Sequence, residues 1–265
     1  MFESFIWMFK KENFLKHFLY IIIGSILFFF ATVAILFIAG QYQGTTEYNI
    51  FRIIAIILCA CAVLLPVGYF WDLTETIIDR GVDYKSSNIY DGQKPKKVFV
   101  FELPEFKVFK HVWRGFASSI ASILMVVPYF LLIAISVFSG TFCHLNKMVI
   151  IASYIMYCFL CPALLWNYAR TNSVVATLHI FKAVNIIGNY FFQYIARLVL
   201  YIIIYVANYI ADITIIASLK LLVTDFNPLN IVILAAGCLT IFAKNIFILF
   251  IYAYLLGTLA PAEEA

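Results

Sequence analysis

The chain has 265 residues, of which 65% are hydrophobic and 12% are charged, and its formal net charge is +4. Soluble domains average roughly 45–50% apolar and about 25% charged residues, so this composition excludes a water-soluble fold. A net charge this small does not indicate a nucleic-acid partner. The composition predicts an all-α integral membrane protein.

Six apolar segments are long enough to cross a bilayer, which takes about 20 residues at a rise of 1.5 Å each. They lie near residues 18–40, 50–71, 116–139, 148–168, 189–219 and 229–256. Short gaps separate the first span from the second, the third from the fourth and the fifth from the sixth. The pattern therefore predicts three hairpins in a single polytopic membrane domain covering 1–265. The longer gaps, 72–115 and 169–188, predict linkers with in-plane amphipathic helices.

The first span follows three lysines and lacks a small-residue cleavage site, which predicts a retained span rather than a signal peptide. Most Lys and Arg residues outside the spans lie on the same side as the N-terminus. Only Arg52, Lys147 and Lys220 lie on the other side. Basic residues favour the cytoplasmic side. We therefore expect a multi-pass protein of a prokaryotic cytoplasmic membrane, with both termini and both linkers in the cytoplasm.

The segment ELPEFKVFKHVWRGF, residues 102–116, separates aromatic from basic residues when it is drawn as a helix. The aromatic arc consists of Phe106, Phe109, Trp113 and Phe116. The candidate interfacial basic face consists of Lys107, Lys110, His111 and Arg114. Pro104 suits a first helical position. This pattern predicts a helix in the membrane plane, with its basic face near anionic headgroups.

An acidic stripe precedes that segment, at the end of the second span. Its members are Asp72, Glu75, Asp79 and Asp83. Three interpretations are open: a solvated face, a divalent-metal site of a lipid-modifying enzyme, or a surface that docks against Lys107, Lys110 and Arg114. The spacing matches neither a diphosphate site nor an EF-hand loop. We therefore predict no catalytic residue, no metal site and no cofactor.

Two spans end in similar motifs, PVGYFWDL and PALLWNYA. Each has a proline about one turn before an aromatic cluster. Aromatic residues are enriched where helices leave the bilayer. We expect Trp71, Trp166 and Tyr168 to lie at that interface.

A polar stripe runs along the fifth span and is joined by one lysine of the sixth. These candidate residues of an intramembrane polar path are Gln193, Arg197, Tyr201, Tyr205, Asn208, Asp212 and Lys244. Intramembrane ionisable groups are functional candidates, but polar side chains also join helices by hydrogen bonds. We expect Arg197 to reach toward the headgroups and Asp212 to approach Arg52 or Lys220. The sequence suggests no counter-ion for Lys244.

The entry FKKENFLKHFLYIIIGSIL, the LPEF segment before the third span and the exit PALLWNYAR resemble a prokaryotic membrane-protein family catalogued as domain of unknown function 4013. A semi-polar segment containing Phe181 and a long fifth span also fit, and the resemblance covers most of residues 9–256. In that family the residues after Leu-Pro tend to be acidic and rich in tryptophan, whereas here they are basic. The resemblance implies six spans. Because the family has no assigned activity, it implies no site residue.

These features together predict a non-enzymatic structural or partner-binding membrane component. The predicted partners are a bilayer with anionic headgroups and a second copy or another membrane protein, with no nucleic acid. The alternative is a small-solute permease or channel subunit lined by the polar face of the fifth span together with Lys244.

Overall fold

The computed structural model describes residues 14–79, 84–86, 97–99, 103–138, 144–222 and 228–259. Within these ranges the α-helices are α1 (Phe14–Gly40), α2 (Thr46–Asp79), α3 (Val108–Phe138), α4 (His144–Thr171), α5 (Ile180–Asn189), α6 (Phe191–Leu222) and α7 (Pro228–Gly257). A 3-10 turn, Val174–Leu178, precedes α5. Two short strands, β1 (Tyr84–Ser86) and β2 (Lys97–Phe99), pair antiparallel with Tyr84 opposite Phe99. They lie in the 72–115 linker, for which the sequence predicted no strand.

Local sequence signals mark several helix ends. Glu47 lies in the first turn of α2, where it faces the positive end of the helix dipole. Pro228 opens α7, where its missing N–H costs nothing. Gly44 takes a φ of 87° in the turn between α1 and α2, and Asn172 takes a φ of 50° just after α4. Gly and Asn are the residues that most readily adopt this left-handed conformation.

Five helical segments in the described part of the chain are long and apolar enough to cross a membrane: Phe14–Gly40, Thr46–Asp79, Ile150–Thr171, Phe191–Lys220 and Val232–Gly257. These correspond to five of the six predicted spans. The other predicted span, near 116–139, coincides with α3, which is not one of the five. The fold is thus all-helical in its membrane part with five candidate spans, and the sixth stays a prediction.

The segment before α3 differs from its prediction. Residues 103–107 are not helical, so Pro104 does not begin a helix, and α3 runs unbroken from Val108 to Phe138. The Lys107 N–H donates to Nε2 of His111, 3.1 Å away, and therefore lies outside the helix as a capped group. The basic residues after Lys107 belong to the first turns of the long helix rather than to a separate in-plane helix.

Most buried residues lie at one end of the bundle, where α1, α3 and α6 begin and where α2, α4 and α7 end. We call this the packed end. One core joins α2, α3 and α4 with α5, the start of α6 and the end of α7, around Trp71, Trp166 and Tyr194. A second core joins α1, α2 and α7 around Tyr69 and Phe250. Because α2 contributes to both cores and packs on α1, α3, α4 and α7, it is the central helix of the packed end.

Two glycines allow α2 and α3 to cross with their backbones in contact. A Cβ on Gly68 would lie 1.6 Å from the carbonyl oxygen of His111, and one on Gly115 would lie 2.2 Å from that of Leu64. Small residues permit this kind of close approach between membrane helices. The crossing brings the acidic end of α2 against the basic start of α3.

Candidate functional site: two interhelical charge clusters

The first cluster joins α2 to α3 through Asp72 and is called the α2–α3 cluster. Its members are Asp72, Glu75, Lys110, His111 and Arg114. Nη1 of Arg114 donates to Oδ1 of Asp72 at 2.6 Å and also to Oε2 of Glu75. Lys110 Nζ lies 3.4 Å from the same Asp72 oxygen. Nδ1 of His111 lies 2.5 Å from Asp72 Oδ2. Both oxygens of Asp72 are therefore engaged by basic side chains.

The contacts of His111 define the roles of its two ring nitrogens. Nε2 accepts the backbone N–H of Lys107, and Nδ1 then donates to Asp72. Two further basic side chains, Lys110 and Arg114, face Asp72 and Glu75. Each carboxylate of the α2–α3 cluster therefore has at least one basic partner.

The centre of this cluster is closed to solvent. The side chains of His111, Asp72 and Arg114 are 0%, 1% and 4% exposed. Nη2 of Arg114 also donates to the carbonyl oxygen of Ala169 at the end of α4, 3.4 Å away. Buried charges of this kind need such partners, because an unpaired charge in a protein interior costs several kcal/mol. The geometry suits a structural contact among three helices.

Lys110 and Arg114 contact the acidic stripe as the docking interpretation expects, whereas Lys107 contacts none of the stripe members that the structure describes. Lys107 instead pairs with Glu105 at 2.6 Å, outside the helix. This exposed hydrogen bond raises the pKa of Lys107 and lowers that of Glu105. On the acidic side, Asp79 is exposed at the end of α2, and Asp83 lies outside the described residues.

The interfacial prediction for the basic face is corrected as well. His111 and Arg114 are buried against protein, so only Lys107 and Lys110 of that face remain exposed. The aromatic arc divides in the same way. Phe109 and Trp113 are strongly exposed, while Phe106 turns inward to within 5.5 Å of the His111 ring. Contact between α3 and α2 determines which of these side chains are buried. A helical wheel drawn for one segment carries no information about that contact.

Two residues beside this cluster escaped sequence reasoning. His17 of α1 is hydrogen-bonded to the hydroxyl of Tyr69 at 2.8 Å, and the Tyr69 ring lies edge-on to His111 at 5.1 Å. Tyr69 thereby links α1 to the α2–α3 crossing. The hydroxyl of Tyr69 is the one sequence signal for this contact, because the hydroxyl group of a buried tyrosine usually forms a hydrogen bond.

The second cluster joins α6 to α7 and is called the α6–α7 cluster. Its members are Asn208, Asp212, Lys244 and Asn245. Lys244 Nζ forms an ion pair with Asp212 Oδ1 at 2.8 Å and donates to Oδ1 and the carbonyl oxygen of Asn208, at 2.5 Å and 3.2 Å. Asn208 Nδ2 donates to Oδ1 of Asn245 at 2.9 Å. Lys244 therefore has a counter-ion, and that ion pair replaces the expected approach of Arg52 or Lys220 to Asp212.

The remaining stripe residues of α6 behave differently from one another. Gln193 donates to the carbonyl oxygen of Thr258, 2.8 Å away. Tyr201 lies against Tyr252 of α7 with ring centroids 4.5 Å apart. Tyr205 is exposed. Asn245 and Tyr252, which complete these contacts from α7, were missed because each is a single polar group in an apolar run.

Arg197 packs against protein near the start of α6, and its expected reach toward the headgroups stays a prediction. Its side chain is buried, and the guanidinium lies over the ring of Tyr254 at 5.9 Å. Such a cation–π contact is stronger when it is desolvated. Nε and Nη1 of Arg197 form no hydrogen bond with the part of the chain that the structure describes.

The aromatic residues of the two similar helix exits are enclosed by protein, and their predicted position at the membrane interface stays a prediction. Trp71, Trp166 and Tyr168 are buried, and the Trp71 and Tyr168 rings meet edge-on at 4.9 Å. The two similar helix exits pack on each other within the first core. Strongly exposed aromatic residues at this end of the bundle are instead Phe109, Trp113, Phe181 and Phe192.

In the described residues, no group of three or more His, Cys, Asp or Glu side chains is placed to hold a metal ion. The fold and the apolar helices define an α-helical membrane protein. No family model, curated protein or solved structure matches this chain. The resemblance to domain of unknown function 4013 therefore stays a prediction.

Proposed function

We propose that this protein is a non-enzymatic structural or partner-binding component of a prokaryotic cytoplasmic membrane, with six spans and both termini in the cytoplasm. The observation that supports the proposal is the pairing of the charged groups between helices. Lys244 is engaged by Asp212 and Asn208, and Arg114 is engaged by Asp72 and Glu75. Groups that hold helices together in this way are not free to bind a solute.

The same pairing argues against the two chemical alternatives. A permease requires polar groups that face a water-filled path and exchange partners with the solute. An enzyme that uses the acidic stripe requires carboxylates open to substrate, whereas Asp72 is buried and both of its oxygens are occupied. Structural pairing accounts for both clusters without a ligand.

The orientation rests on the position of charge and aromatic residues at the packed end. Lys107 and Lys110 are exposed there, next to exposed Phe109 and Trp113. Aromatic side chains favour the headgroup level, and nearby lysines favour the anionic cytoplasmic leaflet. We therefore place the packed end at the cytoplasmic surface, in contact with anionic headgroups.

Cysteine labelling in membrane vesicles tests both parts of the proposal. In a chain whose six native cysteines are replaced by alanine, single variants are treated with a membrane-impermeant maleimide. We expect Lys107→Cys to react only in inside-out vesicles. Thr45→Cys, in the exposed turn between α1 and α2, is the matched control for the other side and should react only in right-side-out vesicles.

Tyr201→Cys and Tyr205→Cys test the path, because these substitutions leave the Lys244–Asp212 ion pair in place. The proposal predicts no labelling of either variant from either side of the membrane. Rapid labelling of both would indicate a water-filled path along α6 and would favour the permease. Labelling of Lys107→Cys in right-side-out vesicles would contradict the orientation alone.

A further inference from the structure

The α6–α7 cluster lies on the two least buried of the apolar helices. None of the most apolar stretch of α6 is buried, and 6% of that of α7 is, compared with 17–22% for α1, α2 and α4. The side chains of Lys244 and Asp212 are each 23% exposed. Lys244 near the middle of α7 and Asp212 in the second half of α6 are thus both partly exposed on the single chain.

Such exposure is costly in a bilayer. Charged side chains within membrane spans almost always face a protein interior or a water-filled cavity, because hydrocarbon offers them no hydrogen bond. The ion pair reduces this cost but leaves part of each side chain exposed. The hydroxyl-bearing Tyr205 is exposed about two turns from Asp212 on the same side of α6. The face formed by Tyr205, Asp212 and Lys244 therefore requires a cover with polar groups at the same depth.

We propose that a second copy of this chain covers this face, with the two α6–α7 clusters facing each other across a two-fold axis along the membrane normal. This inference rests on the proposed function and names its partner. Copies inserted in the same orientation are related by this kind of axis, and two-fold pairing is the commonest symmetry of oligomers. The face is self-complementary, since it carries one positive and one negative group.

The depth of the two charges fits this symmetry. Lys244 Nζ and Asp212 Oδ1 lie 2.8 Å apart, so they occupy nearly the same level in the bilayer. A two-fold axis along the normal keeps every group at its own depth. It therefore brings Lys244 of each copy opposite Asp212 of the other without any vertical shift. The four charges then form one ring that is shielded from lipid.

Mixed copies with opposite charge provide the sharpest test. An Asp212→Lys copy carries two positive charges on this face, and a Lys244→Asp copy carries two negative charges. We expect each variant made alone to associate with itself about tenfold less than the wild-type chain does, since like charges then meet in the bilayer. Produced together with different tags, the two variants should co-isolate in a one-to-one ratio.

Two outcomes of that experiment overturn the proposal. One is equal self-association of each variant and of the wild-type chain, and the other is failure of the mixed variants to co-isolate when both accumulate in the membrane. A variant that accumulates only in the presence of the other supports the proposal, because its fold then depends on the opposite charge of the second copy.

A cross-linking measurement leaves the ion pair intact and does not depend on the stability of those variants. In the chain without native cysteines, Tyr205→Cys lies within roughly 20° of Asp212 around α6, whereas the exposed Ile203→Cys lies roughly 180° from it. We expect oxidation to cross-link Tyr205→Cys into a dimer and to leave Ile203→Cys monomeric. Equal cross-linking of the two variants would contradict the proposed face.

These results are separable from those of the labelling experiment. Rapid maleimide labelling of Tyr205→Cys together with its cross-linking would contradict the non-transport function and support association with a second copy. Absence of both labelling and cross-linking would support the non-transport function and contradict association with a second copy. Cross-linking without maleimide labelling supports both proposals.

Discussion

The two charge clusters have similar composition and opposite surroundings. In the α2–α3 cluster, Asp72 and Arg114 are buried among α2, α3 and the end of α4. In the α6–α7 cluster, Asp212 and Lys244 remain partly exposed on two helices that bury little of their apolar surface. One cluster is enclosed by helices of the same chain, while the other joins two helices and leaves part of both charged side chains exposed.

This difference follows from helix packing rather than from the residues themselves. Glycines at positions 68 and 115 bring α2 and α3 into backbone contact, so their charged ends are enclosed by neighbouring helices. The three atoms nearest to a Cβ on Gly237 in α7 belong instead to the flexible side chain of Leu219 in α6. Close backbone contact at the packed end makes the first cluster structural, and the looser hairpin leaves the second available for association.

The largest expected effect is that of breaking the enclosed cluster. Asp72→Asn leaves the buried guanidinium of Arg114 with Glu75 as its remaining carboxylate, and loss of one member of a buried ion pair costs about 3–5 kcal/mol. We expect a clear fall in the melting temperature in lipid nanodiscs. Asp79 lies on the same helix but is exposed, so Asp79→Asn is the control and should have the melting temperature of the wild-type chain. Equal melting temperatures for the two variants would show that the cluster does not stabilise the fold.

The close helix crossing should be nearly as sensitive. Gly68→Ala places a methyl group against the backbone of His111, and overpacking of this kind costs about 1–3 kcal/mol or more. The control is Gly188→Ala, because a Cβ there meets nothing within 4 Å. We expect Gly68→Ala to lower the melting temperature and Gly188→Ala to leave it unchanged or raise it slightly. A neutral Gly68→Ala variant would exclude the close crossing.

Breaking the exposed cluster should cost less stability. In Asp212→Asn, Lys244 keeps both acceptors on Asn208, and polar contacts between membrane helices average about 0.6 kcal/mol with a maximum near 1.7. The control is Thr214→Val, because the Thr214 hydroxyl bonds only within its own helix, to Ile210. Equilibrium unfolding in denaturing detergent measures the free energy of unfolding of both variants. A loss as large as that of Asp72→Asn would remove the distinction between the clusters.

The smallest expected effect is a difference in melting temperature between variants of two lysines on the basic face. Lys110→Gln loses its contact with Asp72 and should lower the melting temperature slightly, within the ~0–1 kcal/mol of exposed ion pairs. Lys107→Gln loses only Glu105 and should leave the melting temperature unchanged. Carboxyl titration by nuclear magnetic resonance should show the pKa of Glu105 rising toward its ordinary value in Lys107→Gln. An unchanged pKa would contradict this pairing.

Hydropathy predicted five helices that the structure contains, and helical periodicity placed Asn208 and Asp212 on one face of α6. Opposite charge on neighbouring segments predicted that Lys110 and Arg114 dock on the acidic stripe. These features are local, or they join segments that are adjacent in sequence. They are therefore readable from composition and from the helical repeat.

The remaining features depend on how helices rotate and cross. The Lys244–Asp212 ion pair joins two helices whose relative rotation no periodicity defines. The inward turn of His111 depends on contact between Gly68 and the backbone of α3. Trp71 and Trp166 carry the composition of an interface, but packing between α2 and α4 buries them. A wheel drawn on one helix contains none of this information.

The enclosed cluster stabilises the single chain, whereas we propose that a second copy completes the exposed cluster. Photobleaching of fluorescently labelled single molecules in dilute bilayers counts the copies directly. We expect mostly two-step spots for the wild-type chain and mostly one-step spots for the neutral double variant Asp212→Asn with Lys244→Met. Identical step counts for the two proteins would show that the exposed cluster does not hold two copies together.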